Sequence, residues 1–330
     1  MTAAAAFLIL LIVFFSGCQK SCNRPAPTPP QLPTASATVT ATSTATPAPT
    51  PIPYAQRNFP CLSNIIVGKQ FDYSPDETEE VHLISAKLGI DSSLIAHANH
   101  ISRFSNIEPG RSLRIDNEHI AACDITNGIL INLPQRMLFY YQEGKLITCY
   151  PVAIGKPDWK TPTGSFSILT KSKNPTWVVP KNIREEMEDE GKEVLTRVAP
   201  GPGNPLGNYW MGTSIPGIGI HATNVPASIY SYHTHGCVRL EPENAKDLFG
   251  RISKGVTGMI VYEPITFAKL DDGRVFIEVD RDIYDEGGAT IDDAKHLANS
   301  LRLSDLIDWS GAAAVVSSHD GIAHDVSAKK

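Results

Sequence analysis

Apolar residues follow three rhythms along the chain. They run without a charge from 3 to 15, almost vanish from 23 to 53, and from about 61 onward recur in short periodic runs. The first stretch has the length of a signal-peptide core and is too short for a comfortable membrane span. The second is nearly all Pro, Thr, Ala and Ser, which cannot bury a core and favours extended, polyproline-like conformations. It reads as a semi-rigid spacer.

Between 70 and 115 the periodicity predicts strand, helix, helix, strand. His82-Leu83-Ile84-Ser85-Ala86-Lys87-Leu88-Gly89-Ile90 places apolar residues at helical spacing and stops at a glycine. Asp91-Ser92-Ser93 offers an N-cap to a second helix, which Asn99 closes. Ile107-Glu108-Pro109-Gly110-Arg111-Ser112-Leu113-Arg114-Ile115 reads as a turn into the last strand.

From Gly128 the chain turns strand-rich. Residues 128–133 suit a buried strand, and 136–141 with 146–154 form a hairpin around Gln142-Glu143-Gly144-Lys145. Another turn and strand follow over 161–168. Short strands with regular turn signals predict a mainly β sandwich or barrel with a few helices. The charged stretch 185–195 suits a helical surface excursion. Residues 241–249 read as a helix with Pro242 in its first turn. Strands over 256–261 and 273–279 and a helix over 291–306 complete the pattern. Residues 312–330 are expected to fray.

The chain has 330 residues and a net charge of −6, with its basic residues scattered. Nothing in that balance points to a nucleic-acid partner. Phe15-Ser16-Gly17-Cys18, closing the apolar run, resembles the lipobox of bacterial lipoproteins, although Phe15 stands where leucine is usual and no Lys or Arg precedes the run. That resemblance implies export, cleavage before Cys18, and a lipid on its thiol that holds the protein to a membrane. The other cysteines are Cys22, Cys61, Cys123, Cys149 and Cys237. An exported protein can keep disulfides. Cys61 and Cys123 bracket the strand–helix–helix–strand segment, where a bridge would brace it, but connectivity cannot be deduced from sequence. Cys149 sits in a strand-like run and suits a small buried hydrophobe.

Reactive chemistry concentrates in Thr234-His235-Gly236-Cys237-Val238-Arg239-Leu240, with His221 sixteen residues before Cys237. A thiol needs a base to become a nucleophile near neutral pH, since the thiolate attacks. His221 and His235 are the two candidates. Gly236 lets the chain turn sharply, and the N–H groups of Gly236 and Cys237 could serve a developing oxyanion. Arg239 supplies paired donors for a carboxylate. His233, His235 and Cys237 with His221 also spell a His₃Cys set suited to zinc.

Four ordered blocks narrow these choices. They are Gly155-Lys156 with Thr161-Pro162-Thr163-Gly164-Ser165-Phe166, then Asn204-Pro205-Leu206-Gly207, then Gly219-Ile220-His221-Ala222-Thr223, then the cysteine segment. In order and spacing, residues 128–262 resemble the catalytic domain of the L,D-transpeptidases, the YkuD domain. The resemblance implies that Cys237 is the nucleophile and His221 the base, oriented by the carbonyl of the next residue. A glycine is usual there; here it is Ala222. His235 would line the cavity, and Arg239, Ala222 and Thr234 would meet substrate. The site would need no metal and no cofactor, consistent with the lack of a closing ligand pair. The implied partners are peptidoglycan stem peptides, and carbapenems would acylate the thiol.

Residues 61–124 resemble the LysM module, through Leu88-Gly89-Ile90, Leu94-Ile95 with Asn99, and Pro109-Gly110-Arg111-Ser112-Leu113-Arg114-Ile115. That implies a small α/β (βααβ) fold and a glycan partner. The organisation expected is signal and lipid site (1–22), linker (23–60), LysM-like module (61–124), catalytic domain (125–264) and C-terminal extension (265–330). The function implied is an exported, membrane-anchored L,D-transpeptidase that releases D-alanine from a tetrapeptide stem. An L,D-carboxypeptidase using water, and a non-catalytic wall-binding lipoprotein, are the competing classes. Intact Cys237 and His221 speak against the second.

Overall fold

The computed structural model describes residues 61–329. The signal-like run, Cys18, Cys22 and the linker lie outside the described residues. In the first described segment β1 (Gln70–Tyr73) pairs antiparallel with β2 (Leu113–Asp116), with α1 (Val81–Leu88) and α2 (Ser92–Ala98) between them in sequence. Gly89 ends α1 at a φ of 67°, and its N–H bonds the Ser85 carbonyl at 2.9 Å. Asp91 caps α2 by accepting the Ser93 N–H at 2.9 Å. Val81, Ile84, Ile95, Ile107, Leu113 and Ile115 bury their side chains together beneath the helices.

The central body contains β3 (Gly128–Asn132), β4 (Met137–Gln142), β5 (Lys145–Gly155), β6 (Gly164–Lys173), β7 (Tyr209–Thr213), β8 (Gly219–His221), β9 (Tyr232–Thr234), β10 (Val238–Leu240) and β11 (Thr257–Val261). These make one nine-stranded sheet in the order β9-β5-β10-β8-β7-β6-β11-β3-β4. β4 also pairs with β5, so the sheet closes on itself as a barrel and removes its free edges. The length of β5 allows this: residues 145–151 pair with β4, while the end of the strand meets β10 and β9. Ile129, Ile131, Leu138, Val152, Ile154, Ile220, Val238 and Leu240 fill the interior. The charged excursion expected over 185–195 starts earlier and stops sooner: α3 (Lys181–Asp189) buries no residue, and residues 190–195 are not helical. α4 (Pro242–Arg251) is capped by the Glu241 carboxylate and buries Ala245 and Leu248.

Beyond the barrel, β12 (Ile265–Lys269), β13 (Val275–Val279) and β14 (His324–Asp325) form a second sheet. Its core is shared with α5 (Ile291–Ser300) and α6 (Trp309–Ser318). Two expectations are corrected here. The helix expected over 291–306 stops at Ser300; Arg302 takes a φ of 58°, and only a short 3₁₀ turn, Ser304–Leu306, follows. Over the described residues the C-terminal segment does not fray. Asp308 caps α6, Ala312 and Val316 are buried, His324 and Asp325 pair with β13, and Ile322 is buried in the apolar cluster of the first segment. These partners lie far earlier in the chain, which local composition cannot reveal.

One buried carboxylate joins all three regions. Glu278 of β13 accepts the Ile120 N–H at 2.6 Å, the Gln135 amide at 2.9 Å, and contacts His119 Nδ1 at 2.8 Å. The other ring nitrogen of His119 lies 2.7 Å from the Gly89 carbonyl. Burial opposes charging of His119, but Glu278 outweighs it and the pKa is raised, so both nitrogens donate. The expected modules are thus joined by a hydrogen-bonded ion pair of the kind that is costly to break from one side. A Cys61–Cys123 disulfide reinforces the junction across a sequence separation of 62 residues.

Constraining a loop of that length removes about 4 kcal/mol of unfolded-chain entropy. The double variant Cys61→Ser/Cys123→Ser is therefore expected to unfold at distinctly lower urea concentration. An unchanged midpoint would show that the disulfide contributes nothing to stability.

Candidate active site

Cys237, the expected nucleophile, sits in a turn between β9 and β10. Gly236 takes a φ of 102°, and an added Cβ would lie 3.1 Å from Ile218 Cδ1 and 3.4 Å from the Lys160 carbonyl. Only glycine fits there without strain. The buried Thr234 hydroxyl accepts the Gly236 N–H at 3.1 Å and donates to the Cys237 carbonyl at 2.5 Å. Thr161 Oγ1 donates to the Gly236 carbonyl at 2.9 Å and accepts the Gly155 N–H at 2.9 Å. The Lys156 N–H meets the Thr234 carbonyl at 3.0 Å. Two expectations change. Thr234 is committed to holding the turn rather than to meeting substrate. The Gly236 N–H is engaged within the turn, which leaves the Cys237 N–H of the expected oxyanion pair.

His221, the expected base, lies on the neighbouring strand. β8 and β10 run parallel, with Ile220 paired to Val238 and His221 to Arg239. Alternation along parallel strands then puts Gly219, His221, Cys237 and Arg239 on one face. His221 is 3% exposed, and its Nδ1 lies 2.6 Å from the Ala222 carbonyl. A carbonyl can only accept, so Nδ1 carries the proton and Nε2 keeps the lone pair. Ala222 is not among the positive-φ residues, so alanine supplies this carbonyl without strain. Its side chain is buried and its carbonyl belongs to His221, so its part is orientation rather than substrate contact. Gly207, at φ 61°, approaches so closely that a Cβ would be 2.7 Å from that of Ala222. Asn204 is fully buried, donates to the Pro175 carbonyl at 2.8 Å and accepts the Leu206 N–H at 2.9 Å. The Asn204-Pro205-Leu206-Gly207 block is thus the cradle of the base.

Trp210 was not singled out from sequence. Its ring stacks on His221 with centroids 5.8 Å apart and 29° between planes. It also covers Gly219, where a Cβ would be 2.3 Å from the indole. The missing side chain at Gly219 makes room for both the indole and the sulfur opposite.

Burial, then the charge of Arg239, push the His221 pKa down to about 3, against the pull of the Ala222 and Leu206 carbonyls. Burial raises the Cys237 thiol, with the Gly219 N–H and Arg239 partly offsetting it. Near pH 7 both groups are therefore neutral.

Cys237, His221, His235 and Arg239 line one cleft of about 1040 Å³, walled by Trp177, Val178 and α3. His235 faces away from the role of thiol base. Its Nε2 lies 2.5 Å from Glu186 of α3, and its ring meets Trp159 edge-on at 5.1 Å. Glu186 also accepts from Lys156 Nζ at 3.0 Å, and these two partners hold its pKa low. Glu186 sits in an unpatterned charged run, and nothing in its spacing marks it. Because His235 and His221 turn to different partners, the His₃Cys set does not form. Among the described residues no group of three or more His, Cys, Asp or Glu could hold a metal ion.

Two outcomes follow from this geometry. Alkylation of Cys237 by iodoacetamide, followed by peptide mass spectrometry to separate it from Cys149, is expected to rise about tenfold per pH unit from 6 to 9. A plateau below pH 7 would reveal a preformed thiolate instead. Gly236→Ala forces a side chain into a positive-φ position and is expected to cost about 1–3 kcal/mol of stability and most acylation by carbapenem. An alanine variant with normal melting and normal acylation would remove the turn from the mechanism.

The L,D-transpeptidase catalytic domain family, YkuD, matches residues 126–265. Probable L,D-transpeptidase ErfK/SrfK of Escherichia coli K12 is 28% identical over 220 residues, covering 65% of this chain and 70% of that protein. Probable L,D-transpeptidase YcfS of the same organism is 33% identical over 46% of this chain and 49% of its own length. Putative L,D-transpeptidase YqjB of Bacillus subtilis is 31% identical over 156 residues, 46% of this chain and 75% of that protein. The NMR structure of the catalytic domain from E. faecium L,D-transpeptidase aligns at 24% identity, over 42% of this chain and 99% of that one, with a TM-score of 0.33. The chain belongs to the L,D-transpeptidase family that carries the YkuD catalytic domain.

Proposed function

We propose that this protein is a peptidoglycan L,D-transpeptidase working through a thioester on Cys237. The observation that carries this reading is the pairing of β8 with β10, which sets a buried, neutral, carbonyl-oriented His221 beside Cys237 in an open cleft. The thiol proton passes to His221 Nε2 as sulfur attacks the carbonyl of the third stem residue. The developing oxyanion is met by the Cys237 N–H. The peptide bond breaks, His221 returns its proton to the departing amine, and D-alanine leaves. An amine from a second stem then attacks the thioester, and the new peptide bond restores the thiol. Arg239 keeps its charge in the cleft wall and suits a stem carboxylate through paired donors.

In the same reading the protein is exported and lipid-anchored at Cys18, and residues 61–124 are a LysM-like module that engages glycan. The βααβ order and the Gly89 stop support that module. Sedimentation of the protein with purified peptidoglycan, and incorporation of labelled fatty acid, test the two points.

Incubation with a disaccharide–tetrapeptide is expected to release D-alanine and yield cross-linked dimer, while tripeptide alone would mark a carboxypeptidase. Intact mass after a carbapenem is expected to show one adduct. Both activities should fall by at least about a thousandfold in Cys237→Ser. Absence of both adduct and D-alanine release from the unaltered protein would leave only a binding role.

A further inference from the structure

Tyr284 lies outside the matched catalytic domain, which ends at 265. It is nevertheless 3% exposed and packed into the barrel's own core. Its hydroxyl donates to the Gly155 carbonyl at 2.7 Å and accepts the Thr161 N–H at 3.2 Å. Those are the two ends of the 155–161 loop. The same two residues are joined by the Gly155 N–H on Thr161 Oγ1, which in turn donates to the Gly236 carbonyl beside the nucleophile. Between them, Lys160 donates to the Tyr284 carbonyl at 2.6 Å, and the Lys160 carbonyl faces the bare Cα of Gly236. The loop is therefore a bed under the nucleophile turn, and a single phenol closes it.

The phenol itself is held from its own side. Its ring stacks on Tyr262 with centroids 5.4 Å apart and 17° between planes. Its N–H donates to the Tyr262 hydroxyl at 3.0 Å, which donates to Asp282 at 2.6 Å. Asp282 also accepts the Glu286 and Gly287 N–H groups, so the 282–287 turn is rigid where it meets the barrel.

We infer that Tyr284 is a positioning residue for the acyl-transfer reaction, acting through Thr161 on the carbonyl of Gly236 and so on the placement of Cys237. The C-terminal region is on this view a working part of the catalytic unit. The inference rests on the reading that Cys237 is acylated. Misplacing a nucleophile slows reaction steeply while leaving ligand affinity largely intact.

The test compares full-length protein with Tyr284→Phe, which keeps the ring stack and removes only the hydroxyl. The rate constant for acylation by a carbapenem at saturation is expected to fall about tenfold, with the half-saturating concentration unchanged. Hydrogen exchange of segments 155–161 and 234–237 should speed up. Thr161→Val is expected to give a similar loss, and the two together no more than either alone, since they interrupt one chain of bonds. Tyr284→Phe acylating at the unaltered rate, or losses that simply add, would overturn the inference while leaving the proposed reaction intact. Failure of the unaltered protein to acylate would overturn both.

Discussion

The turn from Thr234 to Cys237 bends through a φ of 102° at Gly236, a conformation that strains any side-chain-bearing residue. Its polar groups are already bonded: the Gly236 N–H and the Cys237 carbonyl to Thr234, and the Gly236 carbonyl to Thr161. A turn satisfied in this way has one low-energy geometry, and that geometry fixes where the sulfur stands. His221 and Arg239 share a face with Cys237, and Trp210 stacks on His221. Moving the sulfur would leave a buried, neutral imidazole with nothing to act on.

The cost of this arrangement falls on the base. Burying His221 next to Arg239 drives its pKa to about 3, far below where imidazole titrates freely. Its folded pKa lies below its unfolded one, so its contribution to stability is complete above about pH 6.5 and is lost as pH falls toward the folded value. What the fold gains is a neutral imidazole whose tautomer is set by one carbonyl at 2.6 Å. In the proposed reaction, proton transfer then accompanies attack.

Much of this was legible in the sequence because the blocks are local. Gly236 and Cys237 adjoin, His221 precedes Ala222, and the Gly89 stop and Asp91 cap lie within a turn of the helices they end. The mainly β fold was legible from strand periodicity, but its closure was not, since it depends on β5 pairing with strands on both sides. The alanine after His221 looked like a weak point and is none, because the required group is the carbonyl. What the spacing could not show is which partner a side chain finds across the fold. Glu186 on His235, Trp210 on His221 and Glu278 on Ile120 are contacts 49, 11 and 158 residues apart in sequence. The same distance effect hid the packing of residues 322–326.

The C-terminal region shows why a domain boundary drawn from motifs can cut through working parts. β13 supplies Glu278, on which His119 and Gln135 converge, and the chain then turns back to place Tyr284 inside the barrel's core. A separate domain would bury its own apolar surface and leave its neighbour's polar groups to water. Here the Gly155 carbonyl, the Thr161 N–H and the Ile120 N–H all find their partners in residues after 265. Each of these groups is therefore satisfied by the C-terminal region rather than by solvent. The barrel strands and the loop beneath the Cys237 turn are thus completed by a segment that lies outside the matched catalytic domain.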